Sequence, residues 1–356
     1  MTSPIKVATL TQGGQDAEQT AAMLIGFLGL ATTSLDLALY DVRLPGTVGD
    51  GVADALRAAR DRGVAVRIAY NGEDEPSGRR FPPPPRTVPE ILAGVGVPLR
   101  PIPGEPDLMH HKYVVRDGEA VWTGSANWTL DSWTLQENAI VTLRSPAIAA
   151  AYARDFAALW DGGHVQGTGD FDVPPVEVGS ATVRAWFCPG RGEALSHRIA
   201  KAIGAARTRV RIASPVLTAG PILGTLAEVV AERRADIAGV CDATQVQHVF
   251  SQWRQNPASA WKAPLLARVL VGASFTGKRS TPYGPGSVHD FMHAKVTVAD
   301  DTAFVGSFNL SRSGELNAEN VLEIRDHAVA DRLAAYVDAL RAAYPDPVDV
   351  PAPVAH

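Results

Sequence analysis

Two stretches of this chain carry the same set of reactive side chains at the same spacing. Each has a histidine, a lysine two residues later and an aspartate five residues after the lysine, followed by a Gly-Ser-x-Asn tetrapeptide. The first stretch contains His110, Lys112, Asp117, Ser125 and Asn127, and the second contains His293, Lys295, Asp300, Ser307 and Asn309. One H-x-K-x4-D pattern is expected only about 0.01 times in a chain of this composition, so two copies indicate a duplicated functional unit.

The residue types in this pattern suit chemistry at a phosphate. An imidazole can attack phosphorus or protonate a leaving oxygen, and a lysine ammonium is a point charge for the non-bridging oxygens. One histidine beside one lysine supplies half of such a site. If the two halves face each other, two imidazoles and two ammoniums converge, and the motif serines and asparagines add neutral donors around the same phosphate.

Two glutamates are candidates to orient the histidines. Glu137 and Glu319 each lie ten residues beyond the motif asparagine, and an asparagine follows each of them. A carboxylate that accepts a hydrogen bond from one imidazole nitrogen fixes the tautomer and the orientation of the ring. We therefore include both glutamates in the predicted catalytic set.

The reactive residues lie beside predicted strands, and both halves of the chain show the same order of elements. The dipeptide Asp117-Gly118 is typical of a hairpin turn, so residues 112–116 and 120–123 are predicted to pair as strands. Residues i and i+2 of a strand project from the same face, and each motif histidine and lysine would therefore point together. Upstream, a helix over residues 52–62 lies between two strands, and a similar strand-helix-strand unit returns at 209–241.

Glycine, proline and acidic residues without a sustained period separate the two halves. We predict a first lobe over 1–165, a linker over 166–182, a second lobe over 183–345 and a tail over 346–356. The proline-rich stretch 72–86 is predicted to be an exposed, rigid loop. The aromatic and basic segment 250–283 is predicted to be either a loop covering the cleft or a substrate contact, and we favour the contact.

Composition and charge exclude several classes of protein. The 356 residues are 46% hydrophobic and 20% charged, which is typical of a folded protein with two domains. The net charge of −5 gives no general positive field for non-specific DNA binding. The two cysteines have no metal-ligand spacing, the longest apolar stretch is too short to span a bilayer, and no secretory signal is recognised, so we expect a cytoplasmic location.

The paired motifs resemble the signature of the phospholipase D superfamily, from residue 34 to about residue 344. This resemblance implies an α/β fold of two similar lobes, each a mixed β-sheet flanked by helices, related by pseudo-twofold symmetry. It places the active site in the cleft between the lobes. It further implies a phosphoric diester hydrolase that forms a covalent phosphohistidine and uses no metal ion or other cofactor.

The same resemblance assigns roles to the motif residues. His110 becomes the nucleophile, and His293 becomes the acid that protonates the leaving oxygen. Glu319 would then orient His110 across the interface, and Glu137 would orient His293. The two aspartates of the motifs are expected to be structural. One departure is visible, because six residues separate Asp117 from its glycine whereas five separate the second aspartate from its own.

Three functions are consistent with these residues. The first is phospholipid headgroup hydrolysis or phosphatidyl transfer, with contact at a membrane surface and no transmembrane segment. The second is a metal-independent nuclease acting on DNA or RNA, because residues 109–112 and 123–129 are similar to the nuclease-like branch, although the chain lacks a basic excess. The third is a non-catalytic phosphate-binding module, against which the intact double motif argues.

A few further side chains have a structural interpretation. His111 alternates with His110 along the strand and is expected to pack on the opposite face. Trp128 and Trp133 are expected to pack inside the lobe. His289 precedes the second motif in a segment that either lines the cleft or packs beside it.

Overall fold

The computed structural model describes residues 3–72, 90–284 and 286–351. The first half of the chain forms strands and helices that alternate along the sequence. The strands are β1 (Ile5–Leu10), β2 (Ser34–Leu39), β3 (Val42–Arg43), β4 (Ala65–Gly72), β5 (Leu99–Pro103), β6 (Lys112–Arg116), β7 (Ala120–Gly124), β8 (Trp128–Thr129) and β9 (Asn138–Arg144). The helices are α1 (Ala17–Gly29), α2 (Gly46–Asp61), α3 (Glu90–Ala93), α4 (Leu130–Thr134) and α5 (Pro146–Gly162).

The second half repeats this alternation with additional helices. Its strands are β10 (Val176–Val178), β11 (Ala181–Cys188), β12 (Arg209–Ala213), β13 (Asp236–Asp242), β14 (Thr276–Lys278), β15 (Val296–Ala299), β16 (Thr302–Gly306) and β17 (Glu319–Arg325). Its helices are α6 (Gly192–Ala205), α7 (Gly220–Glu232), α8 (Ala243–Gln255), α9 (Pro257–Ala260), α10 (Lys262–Gly272), α11 (Arg312–Leu316) and α12 (His327–Ala343).

Both halves build a mixed sheet with the same strand order. The first sheet runs β1-β9-β7-β6-β2-β4-β5, and the second runs β10-β11-β17-β16-β15-β12-β13-β14. Apart from the added edge strand β10, each strand of one sheet has an equivalent in the other. The parallel pairs are β2 with β4, β4 with β5, β12 with β13 and β13 with β14, and the other pairs of both sheets are antiparallel. The predicted α/β fold with two similar lobes is therefore confirmed.

The long helices α5 and α12 occupy equivalent positions, and each begins at a capping residue. Ser145 accepts a hydrogen bond from the backbone of Ile148, and Asp326 accepts one from the backbone of Val329. Such caps satisfy amide groups that a helix leaves unpaired at its first turn. None of the helices in the three described ranges is long and apolar enough to cross a membrane.

One apolar core joins the two lobes. It combines buried residues of both halves, including Met109 and Tyr152 from the first and Met292 and Tyr336 from the second. The hydroxyl of Tyr336 donates to the carbonyl oxygen of Leu10 in the first lobe at 2.8 Å. Burying each large apolar side chain contributes about 1.5–3 kcal/mol, so the interface between the lobes is a major source of stability.

The structure does not show residues 166–182 as a separate linker between the lobes. Residues 176–178 form the edge strand β10, and β11 already begins at Ala181, so the second sheet starts inside the range 166–182. Thr168 and Val173 are also buried. The segment is rich in glycine and proline because it turns sharply, and those turns pack against the second lobe. The described part of the predicted tail, residues 346–351, also begins with a contact to this lobe, since the backbone N–H of Gly277 donates to the carbonyl oxygen of Asp346.

The segment 250–283 is not the loop that its irregular pattern suggested. It contains the end of α8, then α9, α10 and β14. Trp253 and Phe275 are buried in the core of the second lobe, so their apolar surface stabilises the fold and does not cover the cleft. Trp261 is 56% exposed. In the first half, the short helix α3 occupies the equivalent place between β4 and β5. The predicted proline-rich loop 72–86 lies outside the described residues from residue 73 onward.

The two motif hairpins differ by one residue in their turns. Arg116 pairs with Ala120 across a three-residue turn, and Ala299 pairs with Thr302 across a two-residue turn. Asp117 and Gly118 both adopt positive φ angles, of 56° and 64°. The additional turn residue in the first hairpin explains why one more residue separates aspartate from glycine there than in the second motif. The flanking strands pair in both hairpins.

Candidate active site

Each motif histidine lies just ahead of a strand and contacts the opposite lobe. His110 precedes β6, and its backbone N–H donates to the carbonyl oxygen of Ala318 in the second lobe at 2.9 Å. His293 precedes β15, and its neighbour Met292 forms a β-bridge with Glu137 in the first lobe. The two histidines are thus brought together by backbone contacts between the lobes, which the predicted face-to-face arrangement requires.

The residues before the histidines are fixed by polar side chains that the sequence reasoning missed. The backbone N–H of Met109 donates to Asn71 at the end of β4, and that of Met292 donates to Asp242 at the end of β13, both at 3.0 Å. These two acceptors occupy equivalent places in the lobes. Each acceptor fixes the residue directly before a motif histidine, so the backbone that carries the histidine is held in place.

His110 is held by Glu319, as predicted. The Nδ1 atom of His110 lies 2.8 and 2.9 Å from the two carboxylate oxygens of Glu319, and both side chains are buried. Burial lowers the pKa of His110 well below its usual value, and the nearby ammoniums of Lys112 and Lys295 lower it further. A neutral His110 that donates its Nδ1 proton to Glu319 keeps the Nε2 lone pair free for attack.

His293 has a different partner. Its Nδ1 atom lies 3.0 Å from the amide oxygen of Asn138. Burial lowers the pKa of His293 well below its usual value, and Lys295, Lys112 and His110 add to the effect. Because both lysines act electrostatically on each histidine and His110 also acts on His293, the two motifs form one cluster.

The predicted contact between Glu137 and His293 is wrong. The carboxylate of Glu137 accepts hydrogen bonds from the ammonium of Lys278, at 2.9 and 3.1 Å, and from the hydroxyl of Tyr344. Both donors belong to the second lobe, and neither was among the predicted site residues. Glu137 therefore contributes to the interface between the lobes, and Asn138 takes its predicted place beside His293.

A one-residue difference in register explains this error. The N–H of the motif serine donates to Ala139 in the first lobe and to Asn320 in the second, at 2.9 Å in both. These two residues are therefore equivalent, and the residues that precede them are Asn138 and Glu319. The segment from the motif asparagine to this position is one residue longer in the first lobe, so matching the two Glu-Asn dipeptides aligns the wrong residues.

The glycine of each Gly-Ser-x-Asn tetrapeptide permits this close approach. A Cβ atom on Gly124 would lie 2.1 Å from the carbonyl oxygen of Ala139, and one on Gly306 would lie 2.1 Å from that of Asn320. No side chain fits at either position, since real contacts of Cβ atoms are longer than this. The glycines therefore let the motif loops reach the strands that carry the partners of the histidines.

The motif lysines are buried beside their histidines. The Nζ atom of Lys112 donates to the carbonyl oxygen of His110 at 2.6 Å and lies 4.8 Å from the ring centroid of Tyr40. The Nζ atom of Lys295 donates to the carbonyl oxygen of His293 at 2.7 Å. Burial lowers the pKa of Lys112 to about 7 and that of Lys295 well below its usual value. An anionic phosphate between them would favour the charged form of both lysines.

The motif serines do not serve as free donors to a phosphate. The hydroxyl of Ser125 donates to the side chain of Asn138 at 2.7 Å. The hydroxyl of Ser307 donates to the carboxylate of Glu319 and accepts from the backbone of Asn320 at 3.0 Å. Both serines are fully buried. Their predicted substrate-binding role is corrected to one of support, because they brace the strand residues that face the histidines.

The motif asparagines keep unused hydrogen-bonding capacity. Trp133 donates from its indole to the backbone oxygen of Asn127 at 2.8 Å, which fixes the loop. The side-chain oxygens of Asn127 and Asn309 are buried and have no hydrogen-bond partner among the residues that the structure describes. Buried polar groups are normally paired, so each of these oxygens is a candidate acceptor for a group of a ligand that donates a hydrogen bond.

The motif aspartates are structural, as expected. Asp117 accepts hydrogen bonds from the backbone of residues 32–34, and Asp300 accepts them from the backbone of residues 207–209. Partial burial alone would raise the pKa of Asp117, but these bonds outweigh it and lower the pKa to about 2. Each aspartate ties a hairpin turn to the start of the neighbouring strand.

The other predicted structural residues are also buried or engaged. His111 is fully buried, with Nε2 3.1 Å from Asp155. Trp128 and Trp133 lie in the core of the first lobe. His289 stacks on Phe291 with 5.5 Å between ring centroids. In the described ranges, no group of three or more His, Cys, Asp or Glu side chains is placed to hold a metal ion.

Comparison with known families decides the relationship. A family model described as a cardiolipin synthase, phospholipase D-like domain matches residues 24–160 and 199–341, which is well over half of the chain. The chain belongs to the phospholipase D superfamily. Each matched segment contains one His-Lys motif, so the internal duplication follows the repeat of the phospholipase D-like domain.

Individual relatives match one part of the chain. A mitochondrial cardiolipin hydrolase of Xenopus tropicalis is 34% identical over 132 residues, which are 36% of this chain and 56% of that protein. One of Chlamydomonas reinhardtii is 26% identical over 138 residues, or 38% of this chain and 56% of that protein. The chain thus spans about half the length of the curated relatives it matches.

A solved structure shows the same fold over nearly the whole chain. A phosphatidylserine synthase of Haemophilus influenzae superposes on 95% of this chain and 86% of its own, with a TM-score of 0.65 and 11% identity. The two-lobed phospholipase D fold is therefore shared at low sequence similarity.

Proposed function

We propose that this protein is a phosphodiesterase that cleaves a phospholipid through a covalent phosphohistidine at His110. The observation that carries the proposal is the buried pair of His110 and Glu319 across the lobe interface, with the second His-Lys pair beside it. The pair keeps one imidazole neutral and oriented, which is the state that a nucleophile needs.

The first chemical step forms a bond from His110 Nε2 to phosphorus. The bond from phosphorus to the leaving-group oxygen breaks, and that oxygen takes a proton from His293. Lys112 and Lys295 stabilise charge on the non-bridging oxygens, and the side-chain N–H groups of Asn127 and Asn309 remain predicted donors to the same phosphate. Because His293 has a lowered pKa in the free protein, it becomes protonated when the anionic substrate enters the site.

The second step restores the enzyme. A water molecule or an alcohol gives its proton to His293 and attacks phosphorus, and the phosphorus–nitrogen bond to His110 breaks. Water yields hydrolysis, and an alcohol yields transfer of the phosphatidyl group. His293 regains in this step the proton that it lost in the first, so the cycle needs no external acid or base.

The different partners of the two histidines support this division of roles. A carboxylate beside an imidazole stabilises the positive charge that develops when the other nitrogen attacks phosphorus. Glu319 offers that support to His110, whereas Asn138 offers His293 only a neutral amide oxygen. An imidazolium without a carboxylate partner releases its proton more readily, which suits a general acid.

A phospholipid is the favoured substrate class. The matched relatives are named as cardiolipin hydrolases, and the net charge of −5 gives no general attraction for a nucleic acid. Leu130, Val288 and Leu316, which lie close to the motifs in the sequence, are exposed apolar side chains that support peripheral contact with a lipid surface. The cytoplasmic location remains a prediction.

The substrate is tested with vesicles and nucleic acids in parallel, with EDTA present. Phosphatidylcholine vesicles, cardiolipin vesicles and single- and double-stranded DNA are incubated separately with the protein and with its His110→Ala variant. The proposal predicts headgroup or phosphatidate release from at least one lipid, and none with the variant. DNA cleavage without lipid cleavage would replace the phospholipase function by a nuclease function. Absence of cleavage in every arm would contradict both functions.

A further inference from the structure

A groove opens on one face of the first sheet, at the Arg116 end of β6, whereas His110 precedes the other end of that strand. Its volume is about 900 Å³, which is within the range of known ligand sites. The buried Trp122 lines it, together with Met23 and Leu30, whose side chains are 40% and 65% exposed. The groove is therefore partly apolar, open to solvent and separate from the reacting groups.

The second lobe fills the equivalent place with its own side chains. Ala8 and Trp186 hold the same register position on β1 and β11, and Thr142 and Glu323 hold the same position on β9 and β17. The indole of Trp186 donates to the carboxylate of Glu323 at 2.9 Å, and Arg198 of α6 donates to the same carboxylate at 3.0 Å. An apolar ring and an anion thus occupy in the second lobe the space that alanine and threonine leave open in the first.

The groove is cationic. Four basic side chains line it, and among the described residues that line it none is acidic: Lys6, Arg116, Arg144 and Arg332. Outside the groove, Glu119 pairs with Arg144 at 2.9 Å, and Glu119 and Asp117 both act electrostatically on Arg116. Lys6 and Arg332 have no ion pair with any residue that the structure describes. At least two positive charges therefore face the groove without a carboxylate partner.

We propose that this groove binds a lipid with an anionic phosphate headgroup. The alkyl chain would contact Trp122, Met23 and Leu30, and the headgroup would face Lys6 and Arg332. Such a ligand supplies to the first lobe the apolar group and the anion that the second lobe carries in its own side chains. The inference is independent of the proposed function, because the groove contains no reacting atom and a lipid bound there would leave the cleft free.

The methionines of the chain allow a test that reports the groove and the cleft separately. Only four are present, of which Met23 lines the groove and Met109 and Met292 directly precede the motif histidines. In protein labelled with ¹³C at the methionine methyl groups, the Met23→Leu, Met109→Leu and Met292→Leu variants assign the three signals. Dodecyl phosphate, kept below its micelle concentration, is expected to shift the Met23 signal saturably. Dodecyl maltoside, an uncharged amphiphile with the same chain, is expected to bind at least about threefold more weakly.

Two variants test the contacts of the two parts of the ligand. Ala8→Trp/Thr142→Glu gives the first lobe the side chains of the second, and it is expected to abolish the response of the Met23 signal. Unshifted Met109 and Met292 signals in this variant would show that the fold and the cleft are retained.

Lys6→Gln/Arg332→Gln removes two exposed charges and remains informative if the filled variant does not fold. It is expected to weaken the binding of dodecyl phosphate by about 3- to 30-fold. The matched control is Lys201→Gln, at an exposed position on α6, which is expected to leave the affinity unchanged.

Four results would overturn the proposal. The first is the absence of a saturable shift of the Met23 signal, including the case in which only the Met109 and Met292 signals move. The second is equal affinity for dodecyl phosphate and dodecyl maltoside, and the third is unchanged binding in the filled variant. The fourth is saturation by an acidic peptide that contains tryptophan but not by dodecyl phosphate, which would assign the groove to a protein partner. None of these measurements needs turnover.

Discussion

At the scale of single residues, His110 and His293 occupy equivalent places but have different neighbours. The sequence was sufficient to predict both histidines, both lysines and the contact of His110 with Glu319, because these residues recur in an exact pattern. It was not sufficient for Glu137. One additional residue before β9 moves Asn138 into the position beside His293, and a single chain with two Glu-Asn dipeptides contains no signal of that shift.

Glu319→Gln tests the role of the orienting carboxylate. Burial raises the pKa of Glu319 to about 7, so protonation removes its charge as the pH falls through that value. We expect kcat/KM of the wild-type enzyme to fall below about pH 7 and the variant to lack this limb. Its kcat should also be reduced by about 10² to 10⁴-fold. A wild-type profile in the variant, measured with the same lipid, would remove Glu319 from this role.

His293→Ala tests the general acid. The variant cannot protonate a leaving oxygen, so a lipid with a poor leaving group should react at least about 10²-fold more slowly. A p-nitrophenyl phosphodiester needs little protonation, and its first burst of p-nitrophenol should be retained. An equal reduction in the rate of the first step with both substrates would contradict the assignment of His293 as the acid.

At the scale of elements, the hairpin turns place the motif strands. The dipeptide Asp117-Gly118 was a reliable signal because a tight turn needs positive φ angles, and both residues adopt them. The helices in 250–283 were missed for a physical reason. Trp253 of α8 and Phe275, which directly precedes β14, pack in a core that also receives α7, so the segment shows no simple amphipathic period.

Asp117→Asn tests the turn that precedes β7. The charged carboxylate accepts three backbone N–H bonds, so the variant should lose roughly 1 to 3 kcal/mol of unfolding free energy near neutral pH. Because the folded-state pKa of Asp117 is lowered to about 2, its contribution is present above pH 4 and is lost as the pH falls towards 2. Urea unfolding at several pH values should show the two proteins converging at low pH. Asp50→Asn, at an exposed position on α2, is the control, and a pH-independent difference would contradict the account.

At the scale of the whole molecule, the two lobes share one hydrophobic core and are not independent domains joined by a linker. The internal duplication could be predicted from the nearly constant distance between equivalent motif residues. The mixed sheets were predicted from the resemblance to the phospholipase D superfamily. The structure of residues 166–182 could not be predicted from the sequence, because glycine and proline indicate turns but do not show whether those turns pack against a lobe. Here Gly169 approaches the backbone of Phe187 closely, so the turn is part of the second lobe.

The shared core predicts that both lobes unfold together. Tyr336 and Tyr152 carry hydrogen bonds between the lobes, and the central apolar cluster belongs to both halves. Calorimetry should therefore show one cooperative transition, and Tyr336→Phe should lower its midpoint without splitting it. Two separated transitions in the wild-type protein would show that the lobes are independent.

The most direct test of the account is to trap the covalent intermediate. The wild-type enzyme and the His293→Ala variant are mixed with an activated p-nitrophenyl phosphodiester and quenched at alkaline pH, where phosphohistidine is expected to persist, and their peptides are mapped by mass spectrometry. The account predicts an adduct with the mass of the transferred phosphoryl group on the peptide that contains His110, at the imidazole of that residue. An adduct on His293, or turnover with no adduct on either histidine, would contradict it.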